Sequence, residues 1–259
     1  MPPTAPPADW PTIDIAGHAC DLHAPADARG RAVILLHGLQ GRRGAAEETL
    51  RHRLVAAGLP VLAPDGGRSW WLDRIVPAFD ARLSGERHVV EAVVAEATRR
   101  FDARPPLIAV LGVGMGGQAA LRLAYRHPAV FPIAAGLAPA LDFHVAMREA
   151  GERADGELFD TLWELFGDVE RARQETAILH VHPLNWPRHQ FFASDPRDHE
   201  WHDGAARLHG KLVALGIPHT ALLERRGPES EAPAGTAFAA DAVRFLQTAL
   251  DAESRRVPG

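Results

Sequence analysis

Residues 106–124 read PLIAVLGVGMGGQAALRLA. An apolar stretch at 107–111 runs into a glycine-rich turn, Gly112-Val113-Gly114-Met115-Gly116-Gly117, and a helical pattern follows over 115–125. Strand, sharp turn and helix in that order are the layout of G-x-S-x-G, the nucleophile elbow. Its central residue takes a strained left-handed backbone so that the side chain stands over the sheet. Here the central residue is Gly114. Glycine takes that backbone freely and brings no atom that could attack anything.

On the N-terminal side, residues 32–36 (AVILL) form a buried strand that runs into His37-Gly38, and residues 60–64 (PVLAP) form another. Alternating apolar residues at 12–15 and 20–23 predict two short edge strands, and helices are expected over 45–57 and 86–101. On the C-terminal side, strands are expected at 131–137, 190–194 and 220–223, and helices at 202–215 and 237–250. Between them, an insertion at 141–187 carries amphipathic patterns at 143–150 and 157–166 and reads as a small helical lid. Apolar strands alternating with helices predict an α/β architecture, a mostly parallel, doubly wound sheet of about eight strands covered on both faces. A single domain over 11–259 would follow a proline-rich lead-in, 1–10, expected to be disordered.

The 259 residues are 46% hydrophobic, enough for one sizeable core. A net charge of −5 gives no basic footprint for nucleic acid, and no apolar run is long enough to span a membrane. The N-terminus lacks the regions of a signal peptide, and Cys20, the only cysteine, excludes an internal disulfide, so a cytoplasmic location is expected. Lys211 is the only lysine among 28 basic residues, a bias pointing to a GC-rich bacterial genome.

Over roughly residues 30–250 the chain resembles the α/β-hydrolase fold, and within it the esterase branch that includes esterase D and S-formylglutathione hydrolase-like proteins. The resemblance rests on HGLQG (37–41), on GVGMGGQAALRLAYRHP, on AGLAPALDFH after the next strand, and on FFASDPRDHEW with DGAARLHGKLVALGIPH. It implies a triad in the chain order Ser, Asp, His. The serine position falls on Gly114, and the aspartate position on Asp198, with Asp195 as second candidate. The histidine position falls in the turn Arg226-Gly227-Pro228-Glu229-Ser230-Glu231, at Glu229 or alternatively Ser230, and no histidine occurs after His219. Two members of the triad are therefore missing. The losses are coupled, because a serine without its base is a poor nucleophile and a base without its serine has nothing to deprotonate. None of the five serines (Ser69, Ser84, Ser194, Ser230, Ser254) has an elbow context. What the resemblance leaves is an oxyanion hole from the backbone N–H groups of Leu39 and Met115.

Further signals are local. Gln40, Arg68, Trp70 and Trp71 lie in the loops after two central strands, where open α/β sheets bind ligands, and are candidate pocket residues. Gly112, Gly114 and Gly117 also match G-x-G-x-x-G, but outside a first βα unit and without the acidic residue at the end of the next strand, so no dinucleotide cofactor is expected. His180, His182, His189, His199 and His202 cluster beside acids, yet read as loop hydrogen-bonders, and no metal is expected.

These readings predict a pseudo-hydrolase of the esterase type that binds a small molecule, with a protein partner or a homodimer as alternatives, and no nucleic acid or membrane. A repurposed enzyme of lyase, epimerase or cyclase type, using the anion hole and pocket acids such as Glu229 or Asp198, is the competing reading. An ordinary carboxylesterase is the least supported of the three.

Overall fold

Residues 32–36 and 108–113 contain no residue that prefers water, and in the computed structural model both segments are buried along their whole length. The structure describes residues 10–42, 45–149, 156–198, 201–226 and 236–257. Strands that apolar must lie inside a sheet covered on both faces. Strand β3 (Ala32–Leu36) accordingly pairs in parallel with β5 (Ile108–Val113), with Ala32 opposite Ile108 and Leu36 opposite Gly112. Six further strands complete the sheet: β1 (Thr12–Ile15), β2 (His18–His23), β4 (Val61–Pro64), β6 (Ile133–Leu137), β7 (His189–Ala193) and β8 (Thr220–Leu222). The order is β1-β2-β4-β3-β5-β6-β7-β8, antiparallel only where β2 meets β1 and β4. This is the expected α/β-hydrolase sheet. One expectation is corrected: β2 is no edge strand but lies between β1 and β4, with Cys20 opposite Pro64, and three of its six residues are buried.

Because successive side chains point to opposite faces, each strand feeds two cores. Val33, Leu35, Ala109 and Leu111 pack with Leu50 and Leu54 of α1 (Ala45–Ala56) and Leu246 and Leu250 of α9 (Ala239–Ser254). Ile34, Leu36 and Val110 pack on the other face, with Ala119 and Leu123 of α4 (Met115–Arg126) and Leu208 and Leu212 of α8 (His202–Ala214).

The stretch expected as one helix from 86 to 101 is three pieces: α2 (Gly85–Arg87), a π-helical turn (His88–Val93) and α3 (Val94–Phe101). The widened turn brings His88, Val89 and Val93 all inside. The insertion holds the two expected helices, α5 (Phe143–Glu149) and α6 (Gly156–Phe166), and adds α7 (Val169–Gln174) and a 3-10 turn (Ala177–His180). Helix α7 begins at Asp168, whose carboxylate accepts the Arg171 N–H at 3.0 Å. No helix among the described residues is long and apolar enough to cross a membrane.

Candidate functional site

Strands β5, β6 and β7 end in line, Val113 opposite Leu137 and Leu137 opposite Ala193. Each following residue then reaches sideways to the next strand. Gly114 donates to Leu137 O at 2.9 Å, Ala138 to Ala193 O at 2.7 Å, and Ser194 to Leu222 O at 3.1 Å. One edge of the sheet thus carries the glycine turn, the loop after β6 and the start of the loop bearing Asp195 and Asp198.

The turn itself has elbow geometry. Gly114 stands at φ +54° and ψ −116° immediately before α4, and its carbonyl accepts from Gln118 and Ala140, both at 3.0 Å. A Cβ placed on Gly114 would meet no heavy atom within 4 Å, so the space a side chain would fill is open. Its neighbours are confined by contact. A Cβ on Gly112 would come 2.1 Å from Gly116 O, one on Gly116 2.1 Å from Leu36 O, and one on Gly117 3.0 Å from Leu137 O. These approaches account for the other glycines of the G-x-G-x-x-G pattern, Gly112 and Gly117, by the packing of α4 on β5 and β6 alone.

The loop after β3 is fixed from several sides. The Gly38 N–H donates to Glu47 Oε1 at 2.7 Å, and Gly41 N–H returns to Gly38 O at 3.1 Å. Arg42 pairs with the buried Asp21 and lies 3.5 Å from Asp65. His37, 1% exposed, accepts from Gly66 N–H at Nε2 (2.9 Å) and turns Nδ1 to Gly38 O (2.7 Å), the pairing of an Nδ1–H tautomer. The Asp65 carboxylate lies 3.5 Å from the same Nε2, which in this tautomer carries no proton to give it; the N–H of Gly67 at 2.9 Å and the Arg42 guanidinium hold its pKa below the ordinary value. The shorter Gly67 bond is the firmer hold, since Nε2 already accepts from Gly66. Leu39, half-buried, follows in this loop, and Met115 heads α4, where a backbone N–H has no acceptor within the helix.

Glu47 is a residue that sequence reasoning missed. Its carboxylate is 2% exposed, and Gly38 is pressed between it and the elbow strand: a Cβ there would lie 3.2 Å from Val113 O and 3.4 Å from Glu47 Oε1. The available signal was weak: one of two glutamates in the first turn of α1, nine residues beyond Gly38.

Trp70 and Trp71, expected at a pocket wall, are 1% and 0% exposed. Both have positive φ, +53° and +55°, a costly backbone for bulky residues. Surrounding contacts hold them there. Ser69 Oγ accepts the Trp71 N–H, the Trp71 indole donates to His37 O at 3.3 Å, and Gly66 leaves room for the Trp71 ring, which a Cβ would approach to 2.5 Å. The Trp70 ring lies 4.9 Å from that of Phe143, which stacks on Phe166 at 5.6 Å, so the loop after β4 supports the inserted helices. Gln40 and Arg68 are exposed.

The two candidate acids both have local tasks. Asp198 Oδ1 accepts the Trp201 N–H at 3.2 Å where α8 begins, and Asp195 grips Arg197 at 2.7 Å. Glu229, Ser230 and His199 lie outside the described residues. Of the histidine cluster, His189 faces Glu253 at 2.9 Å and His182 accepts the Leu184 N–H. Among the described residues no group of three or more His, Cys, Asp or Glu could hold a metal ion.

Beneath the insertion runs a buried ionic network that no local pattern announced. Arg122, 1% exposed, pairs with Glu86 and Glu175, and Arg126 and His127 also reach Glu86 at 2.9 and 2.8 Å. Burial raises the Glu86 pKa, but His127, Arg122 and Arg126 outweigh it and hold the carboxyl at about 2. Gln118 adds a second strap, accepting the Ala177 N–H at 2.7 Å and donating to Glu175 O at 3.3 Å.

The model of the Esterase family, described as "Putative esterase", matches residues 21–222, most of the chain. The chain belongs to this family. No curated protein sequence matches it. Among solved structures, this Esterase-family chain is similar to MPT51 (FbpC1) of Mycobacterium tuberculosis, with 16% identity and a TM-score of 0.65, covering 92% of this chain and 99% of that one. It is also similar to an S-formylglutathione hydrolase from Agrobacterium tumefaciens (17%, TM-score 0.65, 93% and 90%) and to Est1E from Butyrivibrio proteoclasticus (15%, TM-score 0.64, 94% and 99%). At such identities the likeness establishes the shared fold, and function has to be argued from the site.

Proposed function

We propose that the protein is a pseudo-hydrolase: it keeps the esterase scaffold, binds a small molecule at the elbow edge of the sheet, and does not hydrolyse esters. The observation that carries this reading is Gly114, which holds the elbow backbone at φ +54° before α4 with open space where a nucleophile would stand. The sequence adds that no histidine follows His219, so no base is available after the last strand. A protein partner or a second copy of the chain is the alternative occupant of the same edge. The net charge of −5 speaks against nucleic acid, and a single buried cysteine fits a cytoplasmic location. The Agrobacterium relative is named a hydrolase, and on our reading this chain retains that scaffold without the reaction.

Glu47 gives the repurposed-enzyme alternative its one supporting observation, a buried carboxylate beside the elbow strand. Against it, the described carboxylates whose pKa departs from the ordinary value, such as Asp21, Asp65 and Glu86, depart downward, whereas a general base needs a raised one. The test is direct. Purified protein should remain unlabelled by a fluorophosphonate probe and should not turn over short-chain p-nitrophenyl esters. Stoichiometric labelling would overturn the proposal.

A further inference from the structure

At the seam between the inserted helices and the loop after β4 lies a cavity of about 380 Å³, lined by Arg74, Phe166, Glu170, Arg171, Gln174 and Glu175. No elbow residue lines it, so its chemistry is independent of whether the elbow is active or silent.

The charges around this cavity are unevenly satisfied. Glu175 is taken up by the buried Arg122 of α4. Glu170 is gripped by Arg173 through two bonds of 2.7 and 2.6 Å and accepts from Gln174 at 2.9 Å. Both carboxylates therefore have cationic partners that do not line the cavity. The two guanidinium groups that do line it have no carboxylate partner among the described residues. Arg74 donates to the Leu165 carbonyl and lies 5.7 Å from the Phe166 ring centroid, and Arg171 stands exposed on the first turn of α7. A neutral carbonyl and a ring face leave the positive charge of Arg74 uncompensated, and guanidinium groups pair best with planar or tetrahedral oxyanions. Phe166, 3% exposed, adds an apolar surface to the same cavity.

We propose that this cavity is a binding site for a small organic anion, a carboxylate or phosphate monoester on a flat apolar body, with Arg171 and Arg74 meeting the oxyanion and Phe166 meeting the body. Its volume is at the lower end of the range for small-molecule sites, which limits the ligand to about one ring plus its charged group. The site is assembled across the seam, Arg74 from the loop after β4 and the rest from the insertion. An occupant would therefore add a further fastening between the insertion and the body of the fold, beside the Gln118 and Arg122 straps.

The test is a proton–nitrogen NMR titration of the full chain with benzoate, phenyl phosphate, inorganic phosphate and benzyl alcohol. Benzoate or phenyl phosphate should shift resonances over 165–175 with a dissociation constant on the order of 1 mM, as ligands this small allow. The stronger of the two identifies the headgroup. Benzyl alcohol should bind at least about tenfold more weakly, and inorganic phosphate should also fall behind for lack of the apolar body. Arg171→Gln, at an exposed position that leaves the core untouched, should weaken the aryl anion about tenfold, and Arg74→Gln should do the same. Absence of shifts over 165–175 at millimolar ligand would overturn the proposal, as would equal binding of benzyl alcohol. Binding unaffected by both variants would overturn it, and shifts confined to Leu39 and Met115 would place the anion at the elbow and overturn it as well.

Discussion

Replacing Gly114 with serine restores the residue that the elbow motif calls for, and the structure predicts that the protein becomes less stable for it. The new Cβ meets no heavy atom within 4 Å, so no steric cost arises. What remains is the backbone, at φ +54° and ψ −116°, a conformation that costs a residue with a side chain about 1–3 kcal/mol. Losing glycine's freedom in the unfolded chain returns about 0.4–1 kcal/mol. The net destabilisation is about 1–2 kcal/mol, and at a urea slope near 3 kcal/mol per molar the midpoint falls by about 0.5 M. Gly116→Ala, two residues on, fails for a different reason. Its methyl would sit 2.1 Å from Leu36 O and 2.6 Å from His37 O, both backbone atoms, so β3 and α4 must part. That change should cost more than about 4 kcal/mol or prevent folding. Urea unfolding of the two variants beside the wild type is the assay. A Gly114→Ser midpoint equal to or above wild type would show that the turn is not strained, and a well-tolerated Gly116→Ala would refute the close approach.

Gly114→Ser alone should leave esterase activity near zero, while Gly114→Ser with Glu229→His, or with Ser230→His, should yield measurable p-nitrophenyl ester turnover, because triad members act as a unit; failure of both folded double variants would mean that the site has been rebuilt. His88 is fully buried, neither ring nitrogen has a hydrogen-bond partner, and burial holds its pKa at about 4, below the usual 6.5. The unfolded chain therefore binds the proton first, stability is intact above pH ~6.5 and lost as pH falls toward 4, about 2 kcal/mol by pH ~5. His88→Phe should flatten that part of the pH–stability curve, and an unchanged curve would contradict the assignment. Arg122→Leu takes the fully buried one of three cationic partners from Glu86, leaving it Arg126 and His127, and should cost about 1–3 kcal/mol by thermal or urea unfolding, with Arg122→Leu/Glu86→Leu recovering part of it. A double variant no more stable than the single one would show that the charges are not coupled.

The fold was legible because its strongest signals are local. Runs such as AVILL and IAVLGV have one stable place to go, the middle of a covered sheet. Short β2 was misplaced at an edge because pairing partners on either side are not written in a six-residue segment. Helix α7, VERARQ, has no apolar stripe and is held by its Asp168 cap and by packing, so periodicity passes over it. The turn was legible as a glycine between strand and helix, and the structure gives that glycine φ +54°. Glu47 and the Arg122 network were not, since Gly38 and Glu47 are nine residues apart and Arg122 reaches partners 36 and 53 residues away. The sequence marks the two tryptophans as candidate pocket residues, but their burial depends on Gly66 and on the aromatic contacts of Phe143, which only the folded chain brings together.

The glycine contacts around the turn bear on how such a protein arises. The shape of the elbow is set by Gly112, Gly116 and Gly117 touching backbone, and none of these contacts involves the residue at 114. Folding and chemistry are consequently under separate genetic control at adjacent codons. A lineage that drops its serine for glycine keeps every contact and sheds a strained conformation, so the first step away from catalysis is downhill in stability. The reverse step is uphill by the same amount, and on the proposed reading it brings no activity until a histidine appears elsewhere. Drift through this turn should thus run one way, like a ratchet, and inactive members should accumulate on the scaffold wherever binding alone is enough to keep them.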